Sequence, residues 1–257
     1  MIFPVIDLRG QLSLAATLAI KNLGIKYKGS VLGPGWIIAE PFLMFILLFV
    51  VFTNIKEFDS ENFAVYLLTG IMLYHIFAKG TSNGVSCLRD NSNFLLSLNI
   101  KREIFPISTA IMIAIMMLIE VPVFTGLMPV FGFIPSPTIL LLPLVLLLLL
   151  GLILGITYFL SIITVKRKDV KPIWTVSVHA LLFVSPVFWT LESARPILLQ
   201  IYQINPLGQI IELAHKLVFG EMPTIEEWGM TSIFVIAILL TGFVYFKRQE
   251  KTIVEEL

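Results

Sequence analysis

Lys21–Trp36 reads KNLGIKYKGSVLGPGW and runs straight into the apolar stretch Ile37–Phe52, IIAEPFLMFILLFVVF. Lys21, Lys26 and Lys28 stand on one side of Gly29, Gly33, Pro34 and Gly35, and the membrane-loving run stands on the other. Glycine frees the backbone and proline fixes φ while removing a donor, so a helix cannot pass smoothly through this stretch. Trp36 carries the amphipathic ring that favours the headgroup level of a bilayer. Here the chain leaves a basic surface, turns and enters the membrane.

Composition agrees with that reading. The 257 residues are 57% hydrophobic and 14% charged, with mean hydropathy +0.93. Soluble domains carry roughly 25% charged residues, so this chain has little to hold it in water. The expected fold is an all-α polytopic membrane protein, a single transmembrane unit over 1–257. Net charge is +1, which provides no basis for a nucleic-acid partner. Cys87 is the only cysteine and excludes an intrachain disulfide. No cleavable signal peptide is expected, because Asp7 and Arg9 interrupt the N-terminal segment.

Outward from the quoted stretch, residues 7–28 place Leu8, Leu12, Ala15, Ala16, Ala19 and Leu23 on one helical face. That pattern predicts an amphipathic helix lying in the membrane interface, or one packed on another protein. Six apolar spans are expected at 36–53, 63–85, 104–130, 138–164, 172–191 and 229–246, each near the ~20 residues that cross a ~30 Å hydrocarbon layer. Cations alternate between loops. Arg9, Lys21, Lys26, Lys28, Arg89, Lys101, Arg102, Lys166, Arg167, Lys168, Lys171, Lys247, Arg248 and Lys251 fall on one side. The other side holds only Lys56, Arg195 and Lys216 among many acids. The positive-inside rule then puts both termini in the cytoplasm.

Two connections exceed simple turns. Residues 89–103, RDNSNFLLSLNIKRE, predict a short amphipathic helix on the cytoplasmic side. Residues 191–223 hold two apolar halves broken at Asn205-Pro206, each too short to span, which predicts an external re-entrant hairpin before the last span. Gly80–Gly84 and Gly151–Gly155 match the small-residue spacing that lets helices approach closely, and are read as packing.

The chemistry is sparse. No glycine is followed by lysine, so a phosphate-binding P-loop is impossible. His75, His179 and His215 lie too far apart for metal-ligand spacing and are read as packing or interface residues. No catalytic constellation and no metal set is expected. Glu120 lies deep in the third span, where an ionised carboxylate costs roughly 2.5–3.5 kcal/mol. It needs a polar cavity or a partner, with Lys79 the candidate by depth. Glu40, near the start of the first span, fits the interface. Phe42, Phe45, Phe49 and Phe52 form one stripe, as packing or as a smooth wall for sugar rings.

Tyr27–Trp36, YKGSVLGPGW, followed by Pro41, resembles the approach to the first span in permeases of the ABC-2 polysaccharide export group. Tyr202–Leu207, YQINPL, resembles that group's external hairpin. The resemblance implies a homodimer working with two copies of a separate ATPase, which alone binds ATP and magnesium. It implies that a lipid-linked, O-antigen-like glycan passes outward through the plasma (inner) membrane, with no cofactor in this chain. It makes 89–103 the coupling helix, with Arg89, Asp90, Asn93, Phe94, Leu95 and Arg102 toward the ATPase. Lys21, Lys26, Tyr27, Lys28, Gly33 and Pro34 become the gate and interface region. Trp36, Phe42, Phe45, Phe49, Glu120, Phe188 and Trp189 become candidate lining of the route. Teichoic acid export, drug or lipid efflux, and a membrane-embedded glycosyl- or phosphotransferase remain as alternatives.

Overall fold

A computed structural model describes residues 8–55, 62–97 and 100–250. Every regular element among them is a helix. In chain order these are α1 Leu8–Tyr27, α2 Trp36–Ile55, α3 Phe63–Asp90, α4 Ser92–Ser97, α5 Ile104–Leu127, α6 Leu142–Lys166, α7 Val170–Val184, α8 Pro196–Ile204, α9 Pro206–Phe219 and α10 Ile225–Gln249. Short 3-10 turns lead into α2 and α6 and follow α5. The loop cations and acids at 56–61, together with Lys251, lie outside the described residues.

Among the described residues, five helices are long and apolar enough to cross a membrane: those at Gly33–Thr53, Phe63–Asp90, Ile104–Phe131, Pro137–Lys166 and Ile225–Gln249. The sixth expected span departs from its 172–191 reading. Its helix, α7, covers 15 residues, about 22 Å at 1.5 Å per residue. It stops because Pro186 disfavours helical geometry at the residue before it, and Ser185 is extended at φ −99°, ψ 150°. Ser185–Trp189 then crosses α3 at Gly70, where an added Cβ would stand 2.9 Å from the Val187 backbone. The Tyr66 hydroxyl donates to the Trp189 carbonyl at 2.8 Å and fixes that crossing.

The centre is α3, buried along almost its whole length despite carrying His75 and Lys79. It packs against α6 through Gly80 and Gly84, which face Ile153 and Thr157. On its other side α6 meets α10 through Gly151 and Gly155, which face Val235 and Leu239. Both small-residue motifs therefore join helices within the chain, as read. Without a hydrophobic drive between helices in lipid, such close backbone approach supplies the dispersion contact that holds spans together.

Two helices, α8 and α9, fill most of the 191–223 stretch and part at Asn205-Pro206. Pro206 starts α9 after extended Asn205, and Gly220 ends it at φ +89°, a left-handed cap that suits glycine. Nearly all of α9 is buried against α3, α6 and α10, so its polar backbone is shielded by protein. Thr224 and Glu227 form a reciprocal capping box at the start of α10, while Lys247 and Arg248 complement its C-terminal dipole.

In α1 the buried face keeps Ala15 and Ala19 of the expected one but is turned toward Gln11 and Leu18. Gln11, Ala15, Leu18 and Ala19 are buried, whereas Leu12 is 55% exposed and Ile20 is also bare. The small alanines let α1 lie closely on α5, and this packing selects a neighbouring face rather than the one counted from hydropathy.

Candidate functional site

One turn of helix separates His75 from Lys79 and another separates Lys79 from Asn83, so α3 carries a single polar stripe. Three neighbouring helices bring charge to it. From α5, Glu120 is fully buried and its Oε1 lies 3.1 Å from His75 Nδ1. From α2, Glu40 Oε2 lies 2.6 Å from Lys79 Nζ and 3.9 Å from His75 Nε2. From α1, Lys26 Nζ donates to Asn83 Oδ1 at 3.4 Å.

The arrangement corrects one expectation. Glu120 pairs with His75, and Lys79 pairs with Glu40. The imidazole is short enough to meet a carboxylate sealed between α3 and α5, while the longer lysine stem turns to α2, where the Glu40 side chain is 46% exposed. Sequence spacing reads His75 as a packing or interface residue, whereas its ring stands between two carboxylates. Its place one turn before an intramembrane lysine was the available signal. The network ties α2 and α5 to the central helix and grades from open at Glu40 to sealed at Glu120. Removing one partner of such a buried pair leaves an uncompensated charge, at a cost of about 3–5 kcal/mol.

Outside the spans, burial beside Lys79 lowers the Lys26 ammonium from its ordinary 10.5 to about 8, with Glu40 acting the other way. The folded chain thus sheds this proton at lower pH than the unfolded chain. Charging of Lys26 opposes the fold below about pH 8, and that penalty fades as pH rises toward 10.5. An amine-selective acylating reagent is expected to label Lys26 at a rate that levels off above about pH 8, read by peptide mass spectrometry. A rate still climbing at pH 10, as for a solvated lysine, would contradict this environment. The neighbouring Tyr27 hydroxyl is buried without a hydrogen-bond partner, and burial together with Glu40 and Glu120 raises its pKa.

The aromatic stripe of α2 faces inward in part. Phe45 is 2% exposed, stacked on Phe42 and Phe49 with centroids 6.1 and 5.6 Å away and edge-on to Phe131 at 5.6 Å. Phe52 stacks on Phe188 at 4.8 Å, joining α2 to the segment after α7. Trp189 is buried, its indole N–H donating to the Phe183 carbonyl at 3.1 Å. Trp36, Phe42, Phe49 and Phe188 keep partial exposure. The opposite face of α2, with Leu43, Ile46, Leu47, Val50 and Val51, is bare and apolar.

At the turn into α2, Gly29 at φ +80° and Gly33 at φ +53° hold conformations that side chains resist. Pro34 sits in the first turn of the 3-10 piece, and the Trp36 indole donates to Ser30 Oγ at 2.8 Å. Lys28 is exposed. Lys21 lies over the Phe94 ring at 4.5 Å, so α1 touches α4. A cleft of about 360 Å³ between them is lined by Lys21, Asn22, Lys26, Asn83 and Asp90.

The 89–103 region contains a helix of six residues, Ser92–Ser97. Arg89 and Asp90 belong to the last turn of α3, where Ser86 donates to Asp90 at 2.6 Å. Leu95 is buried against the α1–α5 core, and Arg102 donates to the Glu250 carbonyl at the end of α10. The Asn93 side chain lies outside the described residues. Arg89, Asp90 and the open edge of Phe94 thus remain as the outward groups of this end.

Residues 14–219 match the ABC-2 type transporter family. An O-antigen export system permease protein RfbA of Myxococcus xanthus is 24% identical over 246 residues, 93% of each chain. A protein of the same name from Klebsiella pneumoniae is 21% identical over 236 residues, 91% of each chain. In both, the likeness covers more than nine-tenths of each chain. With a family match over most of its length and helices built to cross a bilayer, the chain is a multi-pass membrane protein belonging to the ABC-2 type transporter family.

Proposed function

We propose that this chain is the transmembrane permease of an ATP-driven exporter that moves a lipid-linked, O-antigen-like polysaccharide outward across the cell (inner) membrane. The observation that carries this reading is the near full-length similarity to two permeases named for O-antigen export. The geometry supports it. Partly exposed Trp36, Phe42, Phe49 and Phe188 offer flat apolar faces of the kind that pyranose CH groups slide over, and one copy leaves the α2 face bare.

Two copies form the permease and two copies of a separate ATPase drive it, binding the ATP and magnesium that this chain lacks a P-loop to hold. Both termini face the cytoplasm, and residues 1–257 act as one transmembrane domain. A nucleotide can move the spans only by binding two states of the assembly differently. ATP-driven closure of the ATPase pair would push on the α3–α4 corner at Arg89, Asp90 and Phe94. Because α3 is the central helix, a push there moves the Glu40 and Glu120 contacts together.

Arg89→Ala is expected to insert normally yet lose most co-purifying ATPase, with ATP turnover of the complex falling at least about tenfold. Pull-down and phosphate release measure this. An intact, fully active complex would remove Arg89 from the coupling surface.

A further inference from the structure

Gly155 on α6 and Gly242 on α10 approach backbone to backbone, and with no side chain on either the seam between the helices is left hollow. The hollow is a groove of about 330 Å³, and α7 makes its third wall. Gly155 and Gly242 floor it, with Phe159, Trp174, Ile238 and Thr241 around them. The Phe159 ring is 44% exposed, so the groove opens on the outside of the bundle. Its surface is carbon. The Thr241 hydroxyl donates to the Ala237 carbonyl at 2.7 Å, and the Trp174 indole nitrogen is buried away from the opening.

The end of the bundle beyond this groove is basic. Lys166, Arg167, Lys168 and Lys171 surround a single acid, Asp169. The Lys166 ammonium donates to Gln249 Oε1 at 3.0 Å and so bridges the ends of α6 and α10. Arg167, Lys168 and Lys171 are exposed and enter no ion pair among the described residues. Lys171 precedes Trp174 by three residues, which sets both on one face of α7. Asp169 makes no side-chain cap on α7, so the positive end of that helix dipole adds to the field of the cations. From Gly155 to Lys166, α6 rises about 16 Å at 1.5 Å per residue. One leaflet of a ~30 Å hydrocarbon layer is about 15 Å deep.

We propose that the α6–α7–α10 groove holds one acyl chain of an anionic glycerophospholipid, with the lipid phosphate among Arg167, Lys168 and Lys171. Carbon-lined walls suit a hydrocarbon chain and offer nothing to a ligand that must be hydrogen-bonded. Unpaired cations one leaflet's depth away suit the headgroup that such a chain carries. A zwitterionic headgroup brings its own cation and gains less from the cluster. A polyprenyl tail is branched and longer than a leaflet is deep, so it overfills the groove. Only Val178 and Leu182 of α7 are buried, and a seated lipid ties this short helix to the α6–α10 seam. The inference goes beyond the export reading and takes from it only the leaflet, the cytoplasmic one, that supplies the lipid.

The test is native mass spectrometry of the full chain released from detergent and titrated with phosphatidylglycerol, phosphatidylcholine or a polyprenyl phosphate. Phosphatidylglycerol is expected to bind as one retained molecule per chain, at least about tenfold tighter than phosphatidylcholine. Thr241→Trp plugs the groove from an exposed position and should weaken that binding at least about tenfold. Thr241→Ser keeps the hydroxyl and the groove, and should bind as the parent does. Arg167→Gln, Lys168→Gln and Lys171→Gln together should erase the preference for the anionic headgroup while the chain stays folded by size-exclusion chromatography. Equal binding of the two phospholipids, binding unmoved by Thr241→Trp and by the triple change, or tighter binding of the polyprenyl phosphate overturns the proposal. So does loss of a dimer in place of loss of lipid in Thr241→Trp, since a second copy would then cover the groove. Export of polymer, assayed separately in vesicles, stands or falls independently of that result.

Discussion

Gly155→Leu is expected to eliminate folded protein from the membrane fraction. A Cβ added at Gly155 would stand 2.8 Å from the Leu239 backbone nitrogen and Cα, and 2.9 Å from the Ile238 carbonyl carbon. Those atoms belong to the main chain of α10 and cannot rotate away as a side-chain tip would. Gly242 makes the reciprocal approach to the Gly155 backbone one turn later. Overpacking a core costs about 1–3 kcal/mol when side chains can yield. Here α6 and α10 must separate along their seam, so the loss is expected to exceed about 3 kcal/mol. Against a typical stability of about 5–15 kcal/mol, that is enough to deplete the folded state. Gly24→Leu, at a position where an added Cβ meets nothing within 4 Å, serves as the control and should express normally. Size-exclusion chromatography in detergent reads both.

His75→Ala is expected to destabilise the protein by about 3–5 kcal/mol, because Glu120 is then left fully buried without the imidazole that faces it at 3.1 Å. Glu120→Gln keeps shape and a hydrogen bond and should cost less. The double variant His75→Leu, Glu120→Leu removes both polar groups from a dry site. It should recover most of the loss of the single change, since an apolar pair of similar volume is often neutral or stabilising in place of a buried ion pair. Denaturant unfolding of the parent, His75→Leu, Glu120→Leu and the double variant gives the coupling energy directly. Additive losses would show that the two residues do not act as a unit. If the network links α2 and α5 to the driven helix, the double variant should fold yet couple ATP turnover poorly to transport.

The spans were legible because continuous apolar runs leave little freedom. The second and third begin at Phe63 and Ile104, where the hydropathy pattern places them. The break between α8 and α9 was legible from Asn205-Pro206, a pair that no helix tolerates unchanged. Helix rotation was not. Whether Glu120 meets Lys79 or His75 differs by one turn of α3, and depth along a span cannot resolve that. The same uncertainty turned α1 by a position, setting Leu12 outward where hydropathy counted it inward. The end of α7 lay in the sequence at Pro186, yet the apolar run past it made the span look longer than its helix. The glycine motifs announced close packing, but their partners on α6 and α10 are matters of tertiary arrangement.

The most direct measurement is translocation in proteoliposomes that contain this chain, its ATPase partner and a lipid-linked glycan, followed by access of an external glycosidase to the polymer. The account predicts that the glycan becomes accessible only when both proteins and hydrolysable ATP are present, and that this chain by itself turns over no nucleotide. Transport without the ATPase, or ATP hydrolysis by the purified permease alone, would contradict it.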